Sequence, residues 1–383
     1  MCELTAGMKM NQKILHTPEG VRDIYGGECK RKQVLERRLQ QVLASFGYQE
    51  IETPTFEYFD VFGSDVGTIP SKDLYKFFDR EGNTLALRPD FTPSIARAAS
   101  RYFPVSEKPV RLSYLGRTFV NHQEHRGRLK ENTEIGAELI GESAVDADAE
   151  IIAMATSMLL ASGLKEFQIS IGNVGFYESL VEEARIDDQT KEKLRLLIHN
   201  HNPFGVEQLL SGFSMDPKIR TILTQLTSLN GTDDMLDRAF ALTEGLRARD
   251  AVVRLMEILK IVRIYGLQRH VSFDLGMLSA YTYYTGVIFR GYTYGSGDAV
   301  VKGGRYDTLL GHFGKNAPSA GFVVVLGNLM NALQRQKIPI ETGPELLTIT
   351  YNASGREEAH RKAAALRAEG KCVELVPERE SED

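Results

Sequence analysis

The sequence predicts a mixed α+β fold, a mainly antiparallel sheet with flanking helices. Three observations carry this. Apolar and polar residues alternate in runs that recur along the chain, as in "NTEIGAELIG" at 132–141. Between them lie segments with apolar residues at helical spacing, such as Leu35, Leu39, Val42, Leu43 and Phe46. Neither GxxxxGK[ST] nor a strand–GxGxxG–helix pattern occurs, so the ordinary nucleotide-binding fingerprints are absent.

The elements follow in order. A helix is predicted over residues 28–46, with Gly47 placed to end it in a left-handed cap. "YQEIETPTFEYFDVF" reads as a strand interrupted by Pro54. Two strands then flank a turn at Glu81-Gly82-Asn83, and Pro89 breaks the second. A short helix runs from Thr92 to Tyr102, with Thr92 as N-cap and Pro93 at the first helical position. Residues 110–119 form a strand, and "NTEIGAELIG" another, with Ile135, Ala137 and Leu139 on one face and Glu134, Gly136 and Glu138 on the other. Asp146 to Leu160 is helical and "FQISIGN" is a strand. Residues 177–265 turn charged and leucine-rich, a helical insertion. Strands return at "HVSFDLG", "YTGVIFRGYTY" and "AGFVVVLG", with the glycines of "VKGGRYDTLLGHFG" marking a loop. Residues 345–383 read as one small βαβ unit.

Composition bounds the function. The chain has 383 residues, 42% hydrophobic and 25% charged, with a net charge of -5. That balance is globular and lacks the basic excess of a dedicated nucleic-acid binder. Cys2, Cys29 and Cys372 make no metal-ligand spacing, and no signal-peptide pattern precedes the first helix, which together suggest a reducing compartment. No apolar run reaches the roughly 18 residues of a membrane span. The expectation is a soluble, cytoplasmic protein with no metal and no cofactor.

Several residues are candidates for chemistry. Glu134 and Glu138 share a strand face with Gly136 between them, which leaves room over the sheet. If that face lines a pocket, the two carboxylates can take an ammonium or an imidazole N–H; if it is wet, they are solvated acids. Asp90, before a helix N-terminus, is either an amine receptor or a turn acid. Tyr281 and Tyr283 fall on one face of "YTYYTG" and Tyr284 on the other, as pocket wall or as packing. Arg305 in "VKGGRYD" either approaches a ligand or pairs with Asp307. His122 and His125 have no third ligand, so zinc is not expected. The basic cluster from Arg117 to Lys130, with Arg126 and Arg128, is a phosphate grip or a solvated loop.

Taken together, residues 16–335 resemble the catalytic domain of the histidyl-tRNA synthetases, a class II synthetase fold. "IETPTFEYFDVF" resembles the first class II motif, which builds a dimer interface. "LRPDFTPSIARA" resembles "LRPE-x-T", with Asp90 in the glutamate's place. "YLGRTFVNHQEHRGRLKENTEIGAELIG" resembles the second motif and its continuation, and "YYTG" and "GGRYD" the histidine-specific segments. The resemblance implies a histidine pocket lined by Asp90, Thr92, Glu134, Glu138, Tyr283 and Tyr284.

The departures are as informative. The family's arginine on the ATP α-phosphate is replaced by Val120, its adenine-contacting glutamate by His122, the catalytic arginine before the tyrosine pair by Ser279, and the third-motif arginine by Asn328. Amino-acid activation needs fixed cations against developing phosphoryl charge, and Val120, Ser279 and Asn328 provide none. The tail at 345–383 resembles only the first βαβ unit of the anticodon-binding domain, so no tRNA partner is expected. These features are similar to the regulatory subunits of ATP phosphoribosyltransferase. That resemblance implies a non-catalytic protein required by a short-form catalytic subunit in the first step of histidine synthesis. It further implies histidine as feedback effector, a class II-type dimer, and a hetero-octamer.

Overall fold

The computed structural model describes residues 15–63, 66, 69–103, 108–122, 129–278, 283–343 and 346–378. Helix α1 (Gly26–Ser45) buries Leu35, Leu39 and Leu43, one turn apart, and Gly47 leaves it at φ +81°. The segment after it is not the long strand its composition suggests. It yields only β1 (Gln49–Glu50) and β2 (Phe56–Tyr58), followed by a 3-10 turn at Phe59–Phe62. Between them the carbonyls of Thr53 and Pro54 accept from the Arg88 guanidinium at 2.8 and 3.3 Å, so a side chain holds this stretch in place of a ladder. β3 (Lys76–Phe78) and β4 (Thr84–Leu87) form the expected hairpin, and β2 joins them in a small antiparallel sheet of order β2-β4-β3.

After α2 (Thr92–Tyr102) the main sheet begins with the long strands β5 (Val110–Phe119) and β6 (Glu131–Ile140). α3 (Val145–Ala161) and β7 (Phe167–Asn173) follow. Then come the helices α4 (Val174–Glu183), α5 (Asp188–His199), α6 (Pro203–Leu210) and α7 (Pro217–Gln225). A two-residue strand β8 (Asn230–Gly231) precedes α8 (Asp233–Leu242) and α9 (Arg249–Ile264). The chain returns to the sheet in β9 (Val271–Asp274), β10 (Val287–Thr293), β11 (Val301–Arg305) and β12 (Ser319–Val325), and α10 (Leu326–Arg335) follows.

These strands make a nine-stranded sheet of order β1-β5-β6-β12-β11-β10-β7-β9-β8. Its pairings are antiparallel except β1 with β5 and β7 with β9, so the sheet is mixed. β11 corrects the loop expected at "VKGGRYD". Gly303 and Gly304 lie inside a strand because of packing on both faces, not because of a turn. A Cβ on Gly303 would stand 2.4 Å from the Phe289 ring, and one on Gly304 2.7 Å from the Tyr284 ring.

Strand alternation divides the sheet. One face carries Ile135, Ala137 and Leu139 of β6, Ala320, Phe322 and Val324 of β12, and Ile169 and Ile171 of β7, all buried. α3 packs against this face: it buries Ile151, Ile152, Met154, Met158 and Leu159, and Leu159 reaches the backbone of β10 at Gly291. Each such side chain contributes roughly 1.5–3 kcal/mol on burial. The other face carries Glu134, Gly136 and Glu138 and is left for α2 and the tyrosine segment.

By contact the chain forms two units, one from the residues before 25 with 35–339, the other from 25–34 and the segment after 339. In the second, β13 (Leu347–Tyr351), α11 (Arg356–Ala368) and β14 (Val373–Pro377) make the predicted βαβ unit, with β13 and β14 paired in parallel. Among the described residues, no helix is long and apolar enough to cross a membrane.

Candidate functional site

Sheet register builds the site. Glu138 lies opposite Leu112 on β5 and Gly321 on β12, and Gly136 opposite Tyr114 and Val323. Glycines on β12 and on β6 itself are what let a carboxylate and a tyrosine hydroxyl occupy this face. A Cβ at Gly321 would stand 1.7 Å from Glu138 Oε2, and one at Gly136 2.5 Å from the Tyr114 hydroxyl. Glu138 is therefore 1% exposed, a buried carboxylate on a wall otherwise made of aromatic rings.

Its oxygens are both engaged. The Thr92 hydroxyl donates to Oε1 at 2.8 Å, and the Tyr306 hydroxyl donates to Oε2. This corrects the N-cap expected at Thr92. Thr92 is inside α2, Phe91 precedes the helix without a side-chain cap bond, and the threonine hydroxyl serves Glu138 instead. Asp90 takes over at the helix start: its Oδ1 accepts from the Thr92 N–H at 3.1 Å. The other oxygen of Asp90 accepts from the Tyr283 hydroxyl at 3.4 Å. Asp90 is thus the turn acid, and it also ties the helix start to the Tyr283 hydroxyl.

The tyrosines converge as well. Tyr283 and Tyr284 do not point to opposite faces, because they lie in a turn and not in a strand. Their ring centroids are 4.7 Å apart, Tyr283 meets Tyr306 edge-on at 6.0 Å, and Tyr284 lies over Gly304. Phe91 stacks on Tyr114 at 4.4 Å and carries the Arg88 guanidinium 4.0 Å above its ring.

Three carboxyls lie near one another on this side of the sheet, and loss of solvent raises all of them. Glu138 is pushed up to about 8, chiefly by desolvation, against the pull of Tyr306 and Thr92. Glu134, farther along β6, is also pushed up to about 8, by desolvation first and the Asp90 charge second; Thr118, Lys302 and Arg88 oppose the rise. Asp90 is raised by desolvation too. Buried acids with hydroxyl donors fixed on them are able to take a ligand that brings positive charge and N–H donors.

The nucleotide side is different in kind. Val120, just past β5, gives its N–H to Lys130 O at 2.8 Å and presents an isopropyl group. Asn328, in the first turn of α10, donates its side-chain amide to Ala299 O at 3.0 Å. Both positions are occupied by neutral side chains, and Asn328 is committed to backbone. Arg305 is structural: it pairs with Asp148 at 2.8 Å and Asp307 at 3.1 Å. Arg117 pairs with Glu131. Ser279, Tyr281, His125, Arg126 and Arg128 lie outside the described residues.

Four site residues were not singled out from sequence. Tyr306 sits between Arg305 and Asp307 in a motif read for its charges. Tyr114 has a usable signal, since Tyr114 and Gly116 alternate on β5 as Glu134, Gly136 and Glu138 do on β6. Phe91 and Arg88 flank Pro89 and Asp90, and only the tertiary contact with β5 reveals them.

Comparison with known proteins agrees with this geometry. The family model described as histidyl-tRNA synthetase matches residues 20–329. The ATP phosphoribosyltransferase regulatory subunit of Acetivibrio thermocellus is 39% identical over 361 residues, covering 94% of this chain and 86% of that one. Its counterpart from Ruminiclostridium cellulolyticum is 37% identical over 365 residues, covering 95% and 87%. The crystal structure of an ATP phosphoribosyltransferase regulatory subunit/histidyl-tRNA synthetase from Bacillus halodurans superimposes with a TM-score of 0.86 at 31% identity, covering 96% of this chain and 94% of that one. A histidyl-tRNA synthetase from Nostoc sp. PCC 7120 shares the fold, with a TM-score of 0.79 at 21% identity over 96% of this chain and 87% of that one. The chain belongs to the ATP phosphoribosyltransferase regulatory subunit family, built on the histidyl-tRNA synthetase fold.

Proposed function

We propose that this chain binds histidine in the pocket formed by Asp90, Thr92, Glu134, Glu138, Tyr283 and Tyr284. In this reading it transmits that binding to a short-form ATP phosphoribosyltransferase catalytic subunit. It is the non-catalytic partner in regulating histidine biosynthesis. One observation supports the reading: buried Glu138 is held by the Thr92 and Tyr306 hydroxyls with Asp90 and the tyrosines close by, while Val120 and Asn328 offer no charge to a nucleotide. In this reading the imidazole N–H meets Glu138, held by Thr92 and Tyr306, and the ammonium meets Asp90 and Glu134. Regulation then follows from differential affinity for histidine between the active and inhibited states of the complex.

The assembly is a class II-type dimer within a hetero-octamer. Support for self-association comes from the small sheet β2-β4-β3. Phe56 and Tyr58 are 51% and 61% exposed on one face of it, and Phe77 on the same face touches Phe56 edge-on at 5.6 Å. A contiguous aromatic face of this kind suits a second copy.

The test is reconstitution. Added to a short-form catalytic subunit, the chain raises its turnover, and histidine then suppresses it. No activation, together with histidine-dependent ATP–pyrophosphate exchange by this chain alone, contradicts the reading.

A further inference from the structure

The acids of the pocket suit the cationic ends of an α-amino acid but repel its carboxylate, so that group needs a cation nearby. The same face of the sheet carries two. Arg290 on β10 lies directly opposite Lys302 on β11. The register runs on from Lys302 to Val323 and from Val323 to Gly136. Both side chains therefore stand on the face that carries Glu134 and Glu138. The next residue of β11 on this face is Gly304, which lies under the Tyr284 ring. Lys302 is also close enough to Glu134 to lower its carboxyl.

Like charges directly opposite each other across a strand pair are unfavourable. Elsewhere in this protein buried cations are tied down. Arg88 donates to Thr53 O and Arg117 O, both at 2.8 Å, and Arg305 is locked to Asp148 and Asp307. Arg290 and Lys302 are held more loosely. Lys302 Nζ is 3.7 Å from Asp298, and the Arg290 guanidinium reaches Leu278 O at 3.4 Å. Asp274 lies within electrostatic range of Arg290. Leu278 is the residue before Ser279, which occupies the place of the synthetases' catalytic arginine. Arg290 thus brings a guanidinium to the carbonyl adjoining the position where the resemblance loses one.

We propose that Arg290 and Lys302 hold the carboxylate of the effector and so make the site specific for an α-amino acid over an imidazole amine. This rests on the histidine reading of the pocket. The guanidinium supplies a two-pronged donor to the carboxylate and the ammonium a point charge, and an anion between them relieves their mutual repulsion.

Calorimetry on the full chain tests the assignment with two ligands, histidine and histamine, which lacks the carboxylate. The wild type binds histidine about 10- to 100-fold more tightly than histamine. Lys302→Met and, separately, Arg290→Met weaken histidine by a similar factor and leave histamine within about threefold. Equal wild-type affinity for the two ligands, or equal weakening of both by the variants, overturns the carboxylate role and leaves the pocket reading standing. Displacement of histidine by ATP in the wild type, lost in the variants, assigns the pair to phosphate and overturns it too. A wild type that binds neither ligand overturns both this proposal and the pocket reading.

Discussion

Two regions of the molecule carry different chemistry. In the amino-acid region, Glu138 is buried and receives hydroxyl donors from α2 and from the end of β11, while Asp90 ties the start of α2 to Tyr283. In the nucleotide region, Val120 contributes an apolar side chain and Asn328 is spent on Ala299 O. The difference lies in the side chains: an acid held by hydroxyls in one region, neutral groups in the other. A buried carboxylate costs free energy unless it is used. The protein bears that cost in one region and carries neutral Val120 and Asn328 in the other. On the proposed function, a synthetase scaffold without the activating cations still senses an amino acid.

The largest effect expected from breaking the contrast comes at Gly321. A methyl group there displaces the Glu138 carboxylate. Gly321→Ala should lower histidine affinity by roughly 100-fold or more, the value of losing two charge-assisted bonds, as read by calorimetry. Retained affinity would separate Glu138 from the ligand.

The next effect is on pH. Glu134 and Glu138, pushed up to about 8, bind protons in the folded protein that the unfolded chain, with carboxyls near about 4.3, has released. Between those values the native state holds more protons, so stability falls as pH rises and is lost through about 8. Melting temperature without histidine should drop from pH 6 to pH 8. Histidine, which needs the ionised acids, should bind more tightly over that range and release protons. Binding heats that do not change between phosphate and Tris at pH 7 would contradict proton release.

Smaller changes sharpen the comparison. Tyr283→Phe removes a 3.4 Å bond to Asp90 and should weaken histidine about three- to tenfold. Asn328→Ala, on the nucleotide side, should leave histidine affinity within about twofold and shift the melting temperature by no more than about 4 °C. A large loss of histidine affinity in Asn328→Ala would mean that the two regions are not separate.

Much of this was legible in sequence, for a physical reason. The period-2 pattern in "NTEIGAELIG" sorts Glu134, Gly136 and Glu138 onto one face whatever the fold, and the βαβ unit at the C-terminal end follows from strand–helix–strand spacing alone. Tertiary override defeated the local reading at three places. Gly303 and Gly304 look like a loop, yet serve close packing between β10, β11 and β12. Thr92 looks like an N-cap, yet its hydroxyl is drawn to a carboxylate 46 positions away. "IETPTF" looks like strand, yet Arg88 takes its carbonyls. Tyr306 was hidden between two charged residues that turned out to be a structural ion pair.

On the proposed function, histidine acts through Glu138. The direct measurement is the turnover of a short-form catalytic subunit reconstituted with this chain under a histidine titration, wild type beside Glu138→Gln, which keeps the side-chain shape and removes the charge. Both chains should activate the catalytic subunit equally, and only the wild type should confer inhibition by histidine. Identical inhibition curves for the two would contradict a role for Glu138.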